Sequence, residues 1–374
     1  MHIGVPAETR PGETRVAATA ETVTKLVKQG HSVTIESGAG VAAGQVDAAY
    51  TEAGAKIGTR EEAFGAQIIF KVRAPDPEEI RLIHEGALLI GMLDPFDREG
   101  LGRLARRNLI SFALEAAPRT TRAQSLDVLS SQANLGGYKA VMVAANAYPK
   151  LMPMLMTAAG TVKAARTVIL GAGVAGLQAI ATAKRLGAIV EVSDVRPAVQ
   201  EQVESLGAKY IEVPYETEEE REIAQGVGGY ARPMPKSWMD RQAIEVAKRL
   251  AMADIVITTA LIPGRKAPML ISRQMVQSMK PGSVIVDMAA GQGGNCELSA
   301  PDQHVEKHGV HILGPTNLPA LVPADASALY ARNVIDFLKL IIDKEGNVSI
   351  DLEDDIVKAC MMTGNGKLMH DKDE

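Results

Sequence analysis

Short apolar runs alternate along this chain with longer stretches in which apolar residues recur every three or four positions. In the first third the runs are 2–5, 32–36, 68–72, 87–93 and 109–114, and the helical stretches between them are 21–29, 46–53, 60–64 and 98–107. A second series begins near residue 167, with strands expected at 167–170, 189–193, 209–213, 255–259, 283–287 and 310–313 and helices between them. Segments such as IIFKV and ALLIGML are continuously apolar rather than alternating, which fits strands buried on both faces of a parallel sheet. The β-α-β-α rhythm therefore predicts an α/β chain with two doubly wound, parallel-sheet, Rossmann-like domains separated by a cleft.

Two stretches stand apart from this rhythm. Residues 325–342 read as a long helix, capped by Asp325, with Tyr330, Val334, Phe337, Leu338 and Ile341 on one face. Such a helix after the second sheet is expected to return to the first domain. The expected division is thus 1–129 with 321–374, and 130–320. Residues 216–236 (ETEEEREIAQGVGGYARPMPK) are acidic at first and then rich in Gly and Pro, and they read as one long functional loop.

Composition narrows the class. The chain has 374 residues, enough for two cores, with 46% hydrophobic, 23% charged and 3% aromatic residues and a net charge of −5. That balance, without a long basic run, argues against nucleic acid or anionic lipid as a direct partner. Cys296 and Cys360 form no pairing motif, which points to a reducing cytoplasm. Seven histidines, with His304, His308 and His311 the nearest to a cluster, show no metal-ligand spacing, so no metal is expected. The N-terminus lacks a secretion-signal pattern, and no apolar run is long enough for direct membrane insertion.

Chemistry enters at TVILGAGVAGLQAIATAKRLGAIVEVSDVR. A strand leads into Gly171, Gly173 and Gly176, a helix opens at Val174 and Ala175, and a second strand ends at Asp194, Val195 and Arg196. Gly171 permits a tight turn, Gly173 lets the backbone approach a pyrophosphate, and Gly176 allows the helix to pack closely on the sheet. The pyrophosphate would lie at the helix N-terminus, and Asp194 would accept from the ribose hydroxyls, favouring NAD(H) over its 2′-phosphorylated form. The competing reading makes the glycines an ordinary turn and Asp194 a helix cap. Arg196 reads as solvent-facing, although an arginine here is also placed to meet a 2′-phosphate.

With these residues in view, the chain resembles the NAD(H)-binding domain I of the α subunit of proton-translocating nicotinamide nucleotide transhydrogenases. The resemblance runs from PAETRPGETRVAAT (6–19) through PRTTRAQSLDVLSSQANLGGYKAV (118–141), the fingerprint, VGGYA, TTALIPG and PGSVIVDMAAGQGGNCEL. It implies a separate α1-type subunit that binds NAD(H), with NADP(H) and the membrane-spanning domain supplied by partner subunits. It also implies a homodimer and a cytoplasmic location, peripheral on the inner face of the cell membrane. Arg119, Thr120, Thr121, Gln124, Ser125, Leu126, Asp127 and Ser130 would surround the nicotinamide. Arg119, Gln124 and Asp127 would be the catalytic set, with Gln124 reaching towards the partner nucleotide and Asp127 and Ser130 holding the carboxamide. From spacing alone, Asp127 serves equally as a helix-start carboxylate and Arg119 as a surface charge. Gly229 and Tyr230 match a loop that closes over nucleotide, against the alternative of a surface linker. Leu261 would line the cofactor crevice or simply pack in the core.

Alanine dehydrogenases resemble the chain over similar length. There an arginine and a lysine, at the places of Arg15 and Lys71, hold substrate, and a histidine and an aspartate take part in catalysis. Here those last two places carry Met92–Leu93 and Gly291, which have no transferable proton. An amino acid dehydrogenase and a non-catalytic NAD-binding subunit are the two alternatives carried forward.

Overall fold

In the computed structural model, which describes residues 1–224, 234–343 and 345–370, the apolar runs form the centres of two sheets. The chain divides into two compact units, Met1–Gln132 with Pro319–Glu374, and Ala133–Leu318. The helix Val128–Ala147 begins in the first and ends in the second.

The first unit contains strands β1 (His2–Val5), β2 (Ser32–Glu36), β3 (Lys56–Gly58), β4 (Ile68–Arg73), β5 (Leu88–Met92) and β6 (Ile110–Ala113). All are parallel, in the order β3-β2-β1-β4-β5-β6. β5 is buried along its whole length and β4 over all but its last residue, as two-sided helical cover requires. In the second unit an exposed hairpin of β7 (Leu155–Thr157) and β8 (Gly160–Val162) precedes the second sheet. That sheet comprises β9 (Arg166–Leu170), β10 (Ile189–Ser193), β11 (Lys209–Tyr210), β12 (Ile255–Thr258), β13 (Val284–Asp287), β14 (His304–Lys307) and β15 (Val310–Leu313). Its order is β11-β10-β9-β12-β13-β15-β14, parallel except for the edge strand β14. Both sheets reverse direction of build beside their first strand, which opens a crevice at the carboxyl ends of β1 and β4, and of β9 and β12.

The first sheet is extended from the far end of the sequence. β16 (Met361–Gly364) lies antiparallel to β6, and β17 (Lys367–Leu368) lies antiparallel to β16. Ser111 and Thr363 share a buried 2.6 Å hydrogen bond across this junction. Helix Pro323–Leu338 also serves the first core, where Tyr330, Val334 and Phe337 join Ile3, Ile35 and Phe112.

Three expectations need correction. The helix near 325–342 starts earlier and stops sooner: Pro323 takes its first position after Val322, which leaves Asp325 inside the first turn rather than at the cap. Proline is pre-set for that position and has no N–H to lose. The strand expected over 209–213 shortens to Lys209–Tyr210. The long loop over 216–236 contains a helix, Glu218–Ala224. Thr217 Oγ1 accepts from the Glu220 N–H at 3.1 Å, and the Glu220 carboxylate reaches back to the Glu216 N–H at 2.8 Å. That is the capping arrangement a Thr-x-x-Glu sequence encodes.

Candidate dinucleotide site

The second sheet places the glycine fingerprint between β9 and the helix Val174–Arg185. Each glycine has its own reason. Gly171 has φ 102°, and a Cβ there would stand 2.6 Å from Thr259 Oγ1. At Gly176 a Cβ would stand 1.9 Å from the Gly171 carbonyl oxygen, so only glycine lets the helix approach the turn this closely. Around Gly173 there is open space, with only Arg196 Nη2 at 4.0 Å from the Cβ position. Gly173 is also the helix N-cap and offers no capping side chain, so the first-turn N–H groups are available to an anion. This cradle fits a dinucleotide pyrophosphate. Val174 and Ala175 are half-buried on its rim.

The surroundings hold the cradle in place. Ala172 N–H donates to Asp194 Oδ2 at 2.7 Å, and Thr259 Oγ1 donates to the Gly171 carbonyl at 3.0 Å. Behind the helix start, a Cβ on Gly137 would stand 2.1 Å from the Ala175 carbonyl oxygen, so Val128–Ala147 packs hard against the loop. Past β12, Asn295, fully buried, accepts from Ala260 N–H at 3.1 Å and donates to the carbonyls of Ala260 at 2.9 Å and Pro268 at 2.8 Å. This pins the segment that carries Leu261, which is 37% exposed. Asp287, also fully buried, accepts from Thr258 Oγ1, the N–H groups of Ala289 and Cys296, and Ser299 Oγ.

Asp194 lies at the end of β10, 8% exposed, as the fingerprint requires. Arg196 overturns its solvent-facing reading. Its guanidinium pairs with the Asp194 carboxylate at 2.8 Å, since the two side chains leave adjacent positions around the strand end. Val195 is half-buried, and its carbonyl accepts from Tyr215 Oη at 3.0 Å. Gly229 and Tyr230 lie outside the described residues.

The signature 118–141 falls on a 3-10 helix, Thr121–Leu126, that runs into Val128–Ala147 in the first unit. Ala123 and Leu126 are buried, whereas Arg119, Thr120, Thr121, Gln124 and Ser125 are exposed. Asp127 does act as a helix-start carboxylate. Its Oδ1 accepts from the Ser130 N–H at 2.9 Å and its Oδ2 from Ser130 Oγ at 2.6 Å. Two residues outside the expected set hold this turn. Asn333 Nδ2 donates to the Ser125 carbonyl at 2.7 Å while Asn333 Oδ1 accepts from Ser131 Oγ at 2.8 Å. Arg122 grips Asp354 at 2.5 and 2.8 Å and also pairs with Asp355.

At the carboxyl end of the first sheet the charges neutralise one another. Arg15, 2% exposed, binds Glu13 through Nε at 2.7 Å and Nη2 at 2.6 Å, and donates to Gln132 Oε1 at 2.7 Å. Burial raises the Glu13 carboxyl, but the hydrogen bonds and charge of Arg15, with Arg73, outweigh it and bring it down to about 2. Lys71, 1% exposed, lies between Glu79 at 3.1 Å and Glu8 at 3.4 Å. Met92 and Leu93 are buried at the end of β5. A cavity of about 350 Å³ beside Lys71 is lined by Glu8, Arg10, Glu79, Asp97 and Arg103 among others. Among the described residues no group of three or more His, Cys, Asp or Glu could hold a metal, and no helix is long and apolar enough to cross a membrane.

Comparison with known proteins agrees with both units. The family described as "Alanine dehydrogenase/PNT, N-terminal domain" matches residues 4–136, and "Alanine dehydrogenase/PNT, C-terminal domain" matches residues 140–371. The first of the separately encoded pieces of the NAD(P) transhydrogenase alpha subunit of Rhodospirillum rubrum is 48% identical over 99% of this chain and 98% of its own length. A crystal structure of transhydrogenase from Sinorhizobium meliloti superposes with a TM-score of 0.89 at 46% identity, covering 98% of this chain and all of that one. Alanine dehydrogenase of Bacillus subtilis is 30% identical over 99% of this chain and 93% of its own length. The chain belongs to the alanine dehydrogenase/PNT family, and within it to the NAD(P) transhydrogenase alpha subunits.

Proposed function

We propose that this chain is the NAD(H)-binding, α1-type subunit of a proton-translocating transhydrogenase. In this reading the second unit binds the adenosine and pyrophosphate of NAD(H) at Gly171, Gly173, Gly176 and Asp194. The exposed turn Arg119–Gln124–Asp127 serves the nicotinamide. Bound NADH supplies the hydride, which passes to NADP⁺ on a partner subunit, and a membrane-spanning partner couples that step to proton movement. The chain then works as a homodimer on the cytoplasmic side of the membrane, peripheral to it through those partners.

The observation that carries the reading is the chemistry at Met92–Leu93 and Gly291. Direct transfer between two nicotinamide rings needs no acid, base or nucleophile, only positioning and exclusion of water. The amino acid dehydrogenases need proton-transferring groups at those places, and these residues cannot serve. Arg15 and Lys71 favour the rival reading by their presence. Their charges, however, are already matched by Glu13, Glu8 and Glu79. Asp127 and Ser130 together present acceptors to a carboxamide N–H, because the Ser130 hydroxyl proton is already donated to Asp127.

The test mixes the purified chain with an NADP(H)-binding transhydrogenase subunit and follows NADH reduction of an NADP⁺ analogue. Transfer is expected only when both are present, and none with NAD⁺ and L-alanine. Alanine oxidation by the chain alone overturns the reading. Gln124→Asn is expected to slow transfer at least about tenfold while NADH affinity stays within about twofold. A non-catalytic nucleotide-binding subunit would have no transfer to lose.

A further inference from the structure

A carboxylate offers about four lone-pair directions, two on each oxygen. In Asp194 all four are filled. Oδ1 accepts from the Arg196 N–H and from Arg196 Nε, both at 2.9 Å. Oδ2 accepts from the Ala172 N–H at 2.7 Å and from Arg196 Nη2 at 2.8 Å. None remains for a ribose hydroxyl. Two of the four donors are backbone groups built into the strand end and the glycine turn. The other two belong to one guanidinium on a long, flexible stem.

The anchoring is unequal in the same sense. The backbone under Asp194 is held from below: Tyr210 Oη donates to the Asp194 carbonyl at 2.5 Å, Tyr215 Oη to the Val195 carbonyl, and Gln242 Nε2 to Ser193 Oγ at 3.1 Å. Asp194 therefore cannot turn away from its guanidinium. The Arg196 side chain is more exposed than that of Asp194, 18% against 5%, and its Nη2 faces the open space at Gly173. If the pair opens, it is Arg196 that moves.

We propose that Arg196 is a specificity latch on the nucleotide site, a role that rests on the NAD(H) reading above. With the site free of nucleotide, its guanidinium covers the two outward lone pairs of Asp194. Two ribose hydroxyls replace those two donors one for one, so NAD(H) can displace the latch without leaving the buried carboxylate short of partners. A 2′-phosphate brings no proton donor there and adds negative charge, so it cannot. The same guanidinium, once freed from Asp194, is a partner suited to a phosphate. Exclusion of the phosphorylated nucleotide thus depends on Asp194 both attracting hydroxyls and keeping Arg196 occupied.

The test is titration of the full chain with NADH and with NADPH, followed by nicotinamide fluorescence, with thermal melts of each nucleotide-free variant to establish folding. Arg196→Ala is expected to bind NADH at least about threefold more tightly, since no ion pair has to open. Arg196→Lys, which keeps the charge but not the fork, shifts in the same direction by less. Asp194→Asn is expected to lose at least about tenfold in NADH affinity and to gain about tenfold for NADPH. That gain should vanish in the Asp194→Asn/Arg196→Ala double variant. If the unaltered chain binds NADH but Arg196→Ala and Arg196→Lys bind it equally or more weakly, the latch is overturned and the NAD(H) reading stands. The latch is likewise overturned if the NADPH gain survives in the double variant. If the unaltered chain binds neither nucleotide, both fail together.

Discussion

The two units share a strand order and differ in what lies at its carboxyl edge. In the first, β1 is followed by the long connection 6–19, and Glu8, Glu13 and Arg15 from it meet Lys71, Arg73 and Glu79 in mutually satisfied pairs. In the second, β9 is followed at once by three glycines, and the equivalent space is bounded by backbone and closed only by Arg196. The same topology thus makes a crevice in each unit. Side-chain charge fills one, and its absence keeps the other open for a charged guest. A binding site here is set by the length and composition of one β-α connection, not by the sheet.

The strongest way to break this comparison is to unfill the first edge. Glu13→Ala leaves Arg15 buried without its carboxylate, and the chain should lose about 3–5 kcal/mol in denaturant unfolding. A loss under about 1 kcal/mol would mean that the pair is not the filling it is taken to be. Next in size is closure of the second edge. Gly176→Ala forces a methyl group onto the Gly171 carbonyl, and NADH affinity should fall at least about 100-fold, near 2.7 kcal/mol. Unchanged binding would show that the nucleotide does not depend on this turn.

The smallest effect contrasts two buried carboxylates. Asp287 in the second unit has both oxygens satisfied, whereas Glu115 in the first has a buried oxygen, Oε2, with no hydrogen-bond partner. Burial pushes the Glu115 carboxyl up to about 7, against the pull of backbone N–H bonds including that of Asp94. Between its usual range near 4.5 and about 7 the folded chain holds a proton that the unfolded chain has lost. Stability therefore falls as pH rises through that window, and the full penalty stands above it. Glu115→Gln removes the titration and keeps an acceptor for Asp94. It should raise the melting temperature more at pH 8.5 than at pH 5, by a difference of about 1 kcal/mol. An equal shift at both pH values would place the proton elsewhere.

Most of the fold was readable because parallel strands buried on both faces appear as unbroken apolar runs. The fingerprint was readable because its glycines answer to backbone geometry within a single turn. Helix Val128–Ala147 was not among the expected elements. It buries residues on several faces and so shows no single apolar stripe. The helix Glu218–Ala224 was missed although its Thr217-x-x-Glu220 capping pattern stood in the sequence. Asn333 also left a trace, as a polar residue three positions from Tyr330 on the face assigned to the core. Buried asparagines in such places have partners, here Ser125 and Ser131. Arg122 left none, because its partners Asp354 and Asp355 lie more than two hundred residues away. The pairing of Arg196 with Asp194 was hidden for a different reason. Two residues apart at a strand end, they meet only once the chain turns out of the sheet.

The strands and helix that complete the first sheet from residues 323–368 carry a consequence for synthesis. The segment that leaves the ribosome first lacks the partners of Phe112, Ser111 and Ile3 until nearly the whole polypeptide has been made. The middle of the polypeptide, Ala133–Leu318, has every strand of its own sheet well before then. Cotranslational maturation should therefore run out of sequence order. The nucleotide-binding middle is finished while the amino-terminal portion still waits, and in that interval its exposed apolar strands are the region most in need of a chaperone.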